Sequence, residues 1–217
     1  TRSALEVACD AAAPEPERAD ALARLGLAPD RPARVEARPA KPEAEDPAPA
    51  GVRAANCVMA TSRGLVRVAL LAGGPDDAPR TGRRGIGLAA PAIALPESFE
   101  SALLALRVSD AAPVDAASLG AALWLLRAAD ATGAVHPDVQ RLSELPQREA
   151  ALETLDALNA TGTVRGTAAA LGLHHSTVQQ RLASLTADLG YDPRSGAGRT
   201  RYALARMLQR AADARFD

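Results

Sequence analysis

The sequence predicts an α+β chain, a small mixed α/β domain followed by an all-α four-helix unit, and three observations carry that reading. Residues 64–71 (GLVRVALL) and 84–90 (RGIGLAA) are apolar runs of strand length, rich in β-branched or aliphatic side chains. From residue 97 onward apolar side chains recur at helical spacing instead. The stretch 163–189 then reads as two helices about a tight turn at Leu171, Gly172 and Leu173.

A chain of 217 residues suits one large or two small domains. It opens on Thr1 rather than Met, and the expectation is of a piece of something longer. Positive and negative side chains nearly cancel, 25 Lys and Arg against 26 Asp and Glu. Bulk charge therefore points to no nucleic-acid partner, but its distribution does. From residue 163 on, Arg165, Arg181, Arg194, Arg199, Arg201, Arg206, Arg210 and Arg215 face only Asp188, Asp192, Asp213 and Asp217. Lys41 is the one lysine, a usage that with the abundant alanine reads as coding bias. Cys9 and Cys57 are too few for a disulfide framework or a zinc site. No apolar run approaches the roughly 20 residues of a membrane span, and no signal peptide is visible, so no membrane partner and a cytoplasmic location are expected. With five aromatics in all, the core must be aliphatic, and a stacking platform for single-stranded nucleic acid is lacking.

Taken in order, residues 1–27 read as helical, with Leu5, Ala21, Leu22, Leu25 and Leu27 sharing faces and Pro14 and Pro16 interrupting them. Residues 33–38 alternate as a short strand with Val35 and Ala37 on one side. The run 39–50 (PAKPEAEDPAPA) has little to bury and reads as a solvated loop. A strand at 56–60 packs beside 64–71, which ends at a turn signal, Gly73-Gly74-Pro75-Asp76-Asp77. After 84–90, a helix at 97–109 carries Phe99, Leu103 and Leu106, and another at 118–129 carries Leu119, Leu123, Trp124 and Leu126. Trp124 is read as a core residue of its helix. The first domain is thus set at 1–130. Residues 131–146 form a connector with one short helix, bearing Val139, Leu142 and Leu145.

The unit 147–217 holds four helices. Leu152, Leu155 and Leu158 share a face of the first, which stops at Thr161 and Gly162. The second puts Ala168, Ala169 and Leu171 on its apolar side. The third aligns Val178, Leu182, Leu185 and Leu189 as one buried stripe. A loop at 190–198 precedes the fourth, 199–215, with Leu204, Ala205, Leu208 and Ala212 inward and Arg206, Arg210 and Arg215 outward. A helix-turn-helix needs a small residue where its helices cross, a turn residue tolerant of left-handed geometry, and an apolar plug. Ala168, Gly172 and Val178 supply them.

This stretch resembles the C-terminal domain of PucR-type (CdaR-like) transcription regulators, over 155–208 and most of all in LGLHHSTVQQRLASLTADLG, 171–190. The family run there looks like Val-His-Arg-Asn-Thr-Val-Arg-Tyr-Arg-Leu. Leu173, His174, Thr177, Val178, Arg181 and Leu182 keep it, whereas His175, Ser176, Gln179 and Gln180 depart and remove two cations and an aromatic. A weaker similarity is to the winged helix of LysR-type regulators, where the motif opens the chain. Upstream, 84–91 with Ser98, Phe99 and 102–106 is similar to the end of the degenerate GGDEF-like domain that precedes the PucR-type motif, and 4–38 to its lead-in. The resemblance implies a GGDEF-like sensing or dimerisation domain at 1–130. Cyclase chemistry is not expected, because Pro75 stands where an acid belongs and no Phe follows.

Other patterns carry less. Gly85-Ile86-Gly87 lacks the third glycine of a dinucleotide fingerprint. His174 and His175 are adjacent and cannot act as an i, i+4 metal pair; His174 is instead expected to cap the recognition helix. His136, in the connector, has no visible partner. With no catalytic set in any segment that reads as a cleft, an enzyme, a cofactor and a metal are not expected. The expected function is a transcription regulator that binds double-stranded DNA through the second helix of the motif. His175, Ser176, Thr177, Gln179 and Gln180 are the candidates for base edges and the adjacent backbone. Arg165, Arg181, Arg199 and Arg201 are the candidates for phosphates. A homodimer and a small-molecule effector are the expected partners. The alternative is a protein-interaction or dimerisation module without sequence-specific DNA binding.

Overall fold

The computed structural model describes residues 2–40, 55–72 and 81–216. The turn signal at 73–77 and most of the Pro-rich run 39–50 lie outside them. The chain divides into two compact units, 1–127 with 213–217, and 128–212.

Unit 1 begins with helix α1 (Ala4–Ala8), fixed at its start by a capping box in which Ser3 Oγ accepts from the Glu6 amide while the Glu6 carboxylate accepts from the Ser3 amide. Helix α2 (Glu15–Arg24) carries its proline in the first turn, where no amide hydrogen is needed. The strands are β1 (Pro32–Pro39), β2 (Asn56–Thr61), β3 (Gly64–Ala72), β4 (Arg84–Ile86), β5 (Ala90–Pro91) and β6 (Pro113–Asp115). They order as β2-β3-β1-β4-β6, with β5 also on β1; the pairs are antiparallel except β4 with β6. Ala33, Val35 and Ala37 of β1 and Val66, Val68 and Leu70 of β3 meet α1, α2 and α3 (Leu95–Val108) in one aliphatic core, as the alternation requires. Cys9 is buried there and Cys57 packs against it, both as free thiols.

Residues 84–90 depart from the expected single strand. A Cβ on Gly85 would stand 2.0 Å from the Ala102 carbonyl oxygen, and one on Gly87 2.0 Å from that of Ser98. These glycines let the backbone lie directly against α3, so they serve packing. Strand pairing stops at Ile86, and hydroxyls of α3 take over: Ser98 Oγ accepts from the Val35 amide and Ser101 Oγ from the Leu88 amide. Where α3 meets these glycines its residues are accordingly small, Ser98, Ser101, Ala102 and Ala105; Leu106 is buried in the core as expected, while Phe99 and Leu103 are only half-buried. The second expected helix is broken at Gly120 into α4 (Ala116–Leu119) and α5 (Ala121–Thr132). Trp124 is 75% exposed there, against the core position expected for it, because Leu123 and Leu126 take the buried side.

Unit 2 contains α6 (Pro137–Glu144), α7 (Arg148–Thr161), α8 (Val164–Leu171), α9 (His175–Leu189) and most of α10 (Gly196–Asp213). The four helices expected from residue 147 are α7 to α10. Helix α6, the short helix of the expected connector, joins their core through Val139 and Leu142. The last residues of the chain fall in unit 1, where Phe216 is 2% exposed. Its amide donates to the Arg63 carbonyl at 2.9 Å, its backbone bridges Gly64, and the Arg83 guanidinium lies over its ring.

Candidate nucleic-acid interface

Helix α7 ends at Gly162, and Thr163 starts α8 by accepting the Gly166 amide at 3.0 Å. Hydroxyls lock the joint: Thr161 Oγ1 donates to the Ala157 carbonyl and contacts Thr167 Oγ1 at 3.2 Å, and Thr167 Oγ1 donates back to the Thr163 carbonyl. A Cβ on Gly166 would meet the Thr161 side chain at 2.8 Å, so this glycine is kept for space.

Helix α8 ends in a Schellman turn. Gly172 has φ 63°, its amide donates to Ala169, and the Leu173 amide donates to Ala168. His174 then caps α9, its Nδ1 accepting from the Ser176 amide at 3.3 Å and standing 2.8 Å from Ser176 Oγ. That is the role expected of it, and it draws the Ser176 hydroxyl into the cap. Val178, Leu182, Leu185 and Leu189 form the buried stripe, and Ala168, 6% exposed, belongs to the same core. Ala169 is exposed, since the crossing with α9 uses the Ala168 side of α8.

His175, Ser176, Thr177, Gln179 and Gln180 are all exposed, but they occupy two rows. Ser176, Gln179 and Ala183 follow each other at helical spacing on one. Thr177, Gln180, Arg181, Ser184 and Asp188 occupy the other, which with Thr154 lines a cavity of about 400 Å³ between α7 and α9. Ser184 and Asp188 were not among the expected site residues; their i+7 and i+11 spacing from Thr177 was the available signal.

The arginines separate more sharply. Arg165, in the first turn of α8, is exposed and makes no hydrogen bond or ion pair among the described residues. Arg181 is half-buried with Nη1 3.5 Å from Thr154 Oγ1, at the outer limit of a hydrogen bond. Arg199 is half-buried and donates to the Arg194 carbonyl at 2.6 Å. Arg201 is committed to structure: Nε and Nη2 hold Asp138 at 2.5 and 2.7 Å, and its guanidinium stacks on Tyr191 at 4.5 Å. Asp138 is 3% exposed and also accepts from Arg141. The hydrogen bonds from Arg201, ahead of any other cause, hold its carboxyl below the usual carboxylate range.

Helix α10 is rotated from its expected phase. Tyr202, Ala205 and Gln209 are buried, while Leu204 is 41% exposed and Ala212 is exposed. Polar side chains face inward because partners await them. Tyr202 Oη donates to Asp156 at 2.7 Å, Arg206 also turns to Asp156, and Gln209 Nε2 donates to Ser143 Oγ at 3.1 Å. Arg210 lies 3.6 Å from the same Asp156, so two arginines expected to face outward belong to this network. Burial first, then Asp156, pushes the Tyr202 hydroxyl well above the usual phenol range.

Among known proteins, residues 151–208 match the family model of the PucR C-terminal helix-turn-helix domain. No curated protein matches the chain. Among solved structures, a regulator of polyketide synthase expression from Bifidobacterium adolescentis is similar over 98% of this chain and 98% of its own, at 17% identity and a TM-score of 0.38. Thr163, Gly172 and His174, each pinned by its local chemistry, frame the helix-turn-helix within the stretch that matches the PucR C-terminal domain.

Proposed function

We propose that this protein is a transcription regulator that reads operator DNA with α9, as a symmetric dimer in the cytoplasm, under the control of a small-molecule effector. One observation carries the reading: the row of α9 that holds Ser176, Gln179 and Ala183 is exposed and uncharged, and Arg165, at the start of the neighbouring α8, makes no hydrogen bond or ion pair among the described residues. Amide side chains pair bidentately with adenine in the major groove, and an unengaged guanidinium is available to a phosphate. Gln179 takes a base edge, with His175 and Ser176 beside it. Thr177, Gln180 and Arg181 lie along the groove toward α7 and follow the adjacent backbone. A GGDEF-like domain at 1–130 supplies the sensing and dimerising part. A PucR-type helix-turn-helix domain supports a regulator rather than an enzyme.

The test is retention and sequencing of fragmented genomic DNA by the full chain at low salt, followed by titration of the enriched sites. Replacing Gln179 by alanine is expected to erode discrimination between sites by roughly 1–3 kcal/mol, as loss of one bidentate contact does. Equal weakening on every duplex would remove it from base reading. A second reading, an interaction module without sequence-specific binding, is favoured by the capture of Arg201 by Asp138 and of Arg199 by the Arg194 carbonyl. It is distinguished by self-association with no enriched fragment.

A further inference from the structure

The cavity of about 400 Å³ between α7 and α9 lies wholly within unit 2 and falls in the size range of small-molecule sites. Its lining is mixed in a particular way. Leu185 of α9 and Ala151 of α7, both buried, give it an apolar floor. Arg181 and Asp188 give it two charges of opposite sign on one helix. They stand two turns apart on the same side of α9, separated by about 10.5 Å along the axis.

The protein itself meets neither charge. Arg181 is half-buried, and the one hydrogen bond it makes among the described residues has Nη1 3.5 Å from Thr154 Oγ1, at the outer limit for such a bond. Thr154 is fully buried and gives its hydroxyl hydrogen to the Ala150 carbonyl at 2.8 Å, so it offers Arg181 a lone pair and no charge. Asp188 is exposed and makes no hydrogen bond or ion pair among the described residues. Ser184 and Leu185 occupy the places where an i, i+3 or i, i+4 partner of Arg181 would stand. Gln147, also in the lining, is the one described residue other than glycine in the left-handed region, at φ 46°, and no side chain caps the helix it starts. Backbone strain of this kind concentrates at ligand sites.

The arrangement selects its occupant by charge and spacing. A duplex backbone suits Arg181 and is repelled by Asp188. A simple anion meets one charge, and a simple amine the other. An α-amino acid carries both charges but too close together to reach both ends. A chain with a carboxylate at one end and an ammonium at the other satisfies both, with its methylenes against Leu185 and Ala151.

We propose that this cavity binds a small ω-amino acid, its carboxylate on Arg181 and its ammonium on Asp188. Arg181 is also among the backbone contacts proposed for α9, so the bound ligand competes with the duplex for it. That consequence rests on the DNA reading; the binding itself does not.

The probe is ε-aminocaproate, titrated into the full chain without DNA and followed by amide NMR shifts and calorimetry. Saturable binding is expected, with the shifts centred on α7 and α9. Caproate, which lacks the ammonium, is expected to bind roughly threefold more weakly, the effect of one exposed ion pair. Hexylamine, which lacks the carboxylate, is expected to bind roughly tenfold more weakly, the effect of hydrogen bonds to a half-buried cation. Glycine should not saturate the site. Asp188→Asn should bind ε-aminocaproate and caproate alike, and Arg181→Gln should bind ε-aminocaproate and hexylamine alike. Each readout is a ratio within one protein, so a loss of stability in a variant does not imitate it. The proposal is overturned by the absence of saturable binding, by shifts centred outside α7 and α9, or by either variant keeping the parent's preference. Caproate, hexylamine or glycine binding the parent as tightly as the probe would overturn it too. A chain that binds the probe but retains no DNA fragment would sink the reading of α9 and leave this site standing.

Discussion

Single residues set the geometry of the helix-turn-helix unit, and each does so by a different mechanism. Gly172 is required for conformation alone: a Cβ there meets nothing within 4 Å, yet its φ of 63° penalises any L side chain. Gly172→Ala is expected to cost about 1–2 kcal/mol, read as a lower urea midpoint with an unchanged slope. Asp138 acts through charge. Its carboxyl is held below the ordinary range by Arg201 first, so the stability it contributes is complete above the unfolded-state value near 4 and is lost as pH falls through its folded value. Asp138→Asn should therefore be less stable than the parent by about 1–3 kcal/mol at neutral pH. In urea titrations across pH the difference should shrink below about pH 4. His174 acts through a ring nitrogen, and the residues that read as a base-contact cluster turn out to include one, Ser176, whose hydroxyl already serves that cap.

At the level of elements, legibility followed how strongly each segment depends on its own sequence. Helix α8 was readable to its ends because its turn is written in Gly172 and its cap in Thr163. The stripe of α9 was readable because four large aliphatics repeat without interruption. Strand β6 was not, being three residues long with, among the described residues, a ladder against β4 alone. The phase of α10 was not either: hydrophobicity favours Leu204 over Gln209, but Ser143 and Arg206 satisfy the buried amide, and these partners are remote or hidden in the sequence. Trp124 failed for the converse reason, since its hydrophobicity speaks for burial while Leu123 and Leu126 already fill that side of α5. The contrast is measurable. Leu182→Ala in α9 is expected to cost about 2–5 kcal/mol. Trp124→Ala is expected to stay within about 0.5 kcal/mol, both read by denaturant unfolding.

For the whole molecule, the division into units does not follow the order of the chain. Unit 2 is inserted between residue 127 and residue 213 of unit 1, and the first core is completed by Phe216. Phe216→Ala is expected to remove about 3–5 kcal/mol from unit 1, seen as a lower transition in a calorimetric scan. The consequence reaches back to synthesis. A ribosome that has released α1 to α5 and β1 to β6 has not yet made the ring that fills the slot beside Gly64. The helical unit can assemble as soon as it emerges, but the segment made before it must wait for residues made after it. Until then its unfilled apolar slot is the place where a chaperone or a protease would find it.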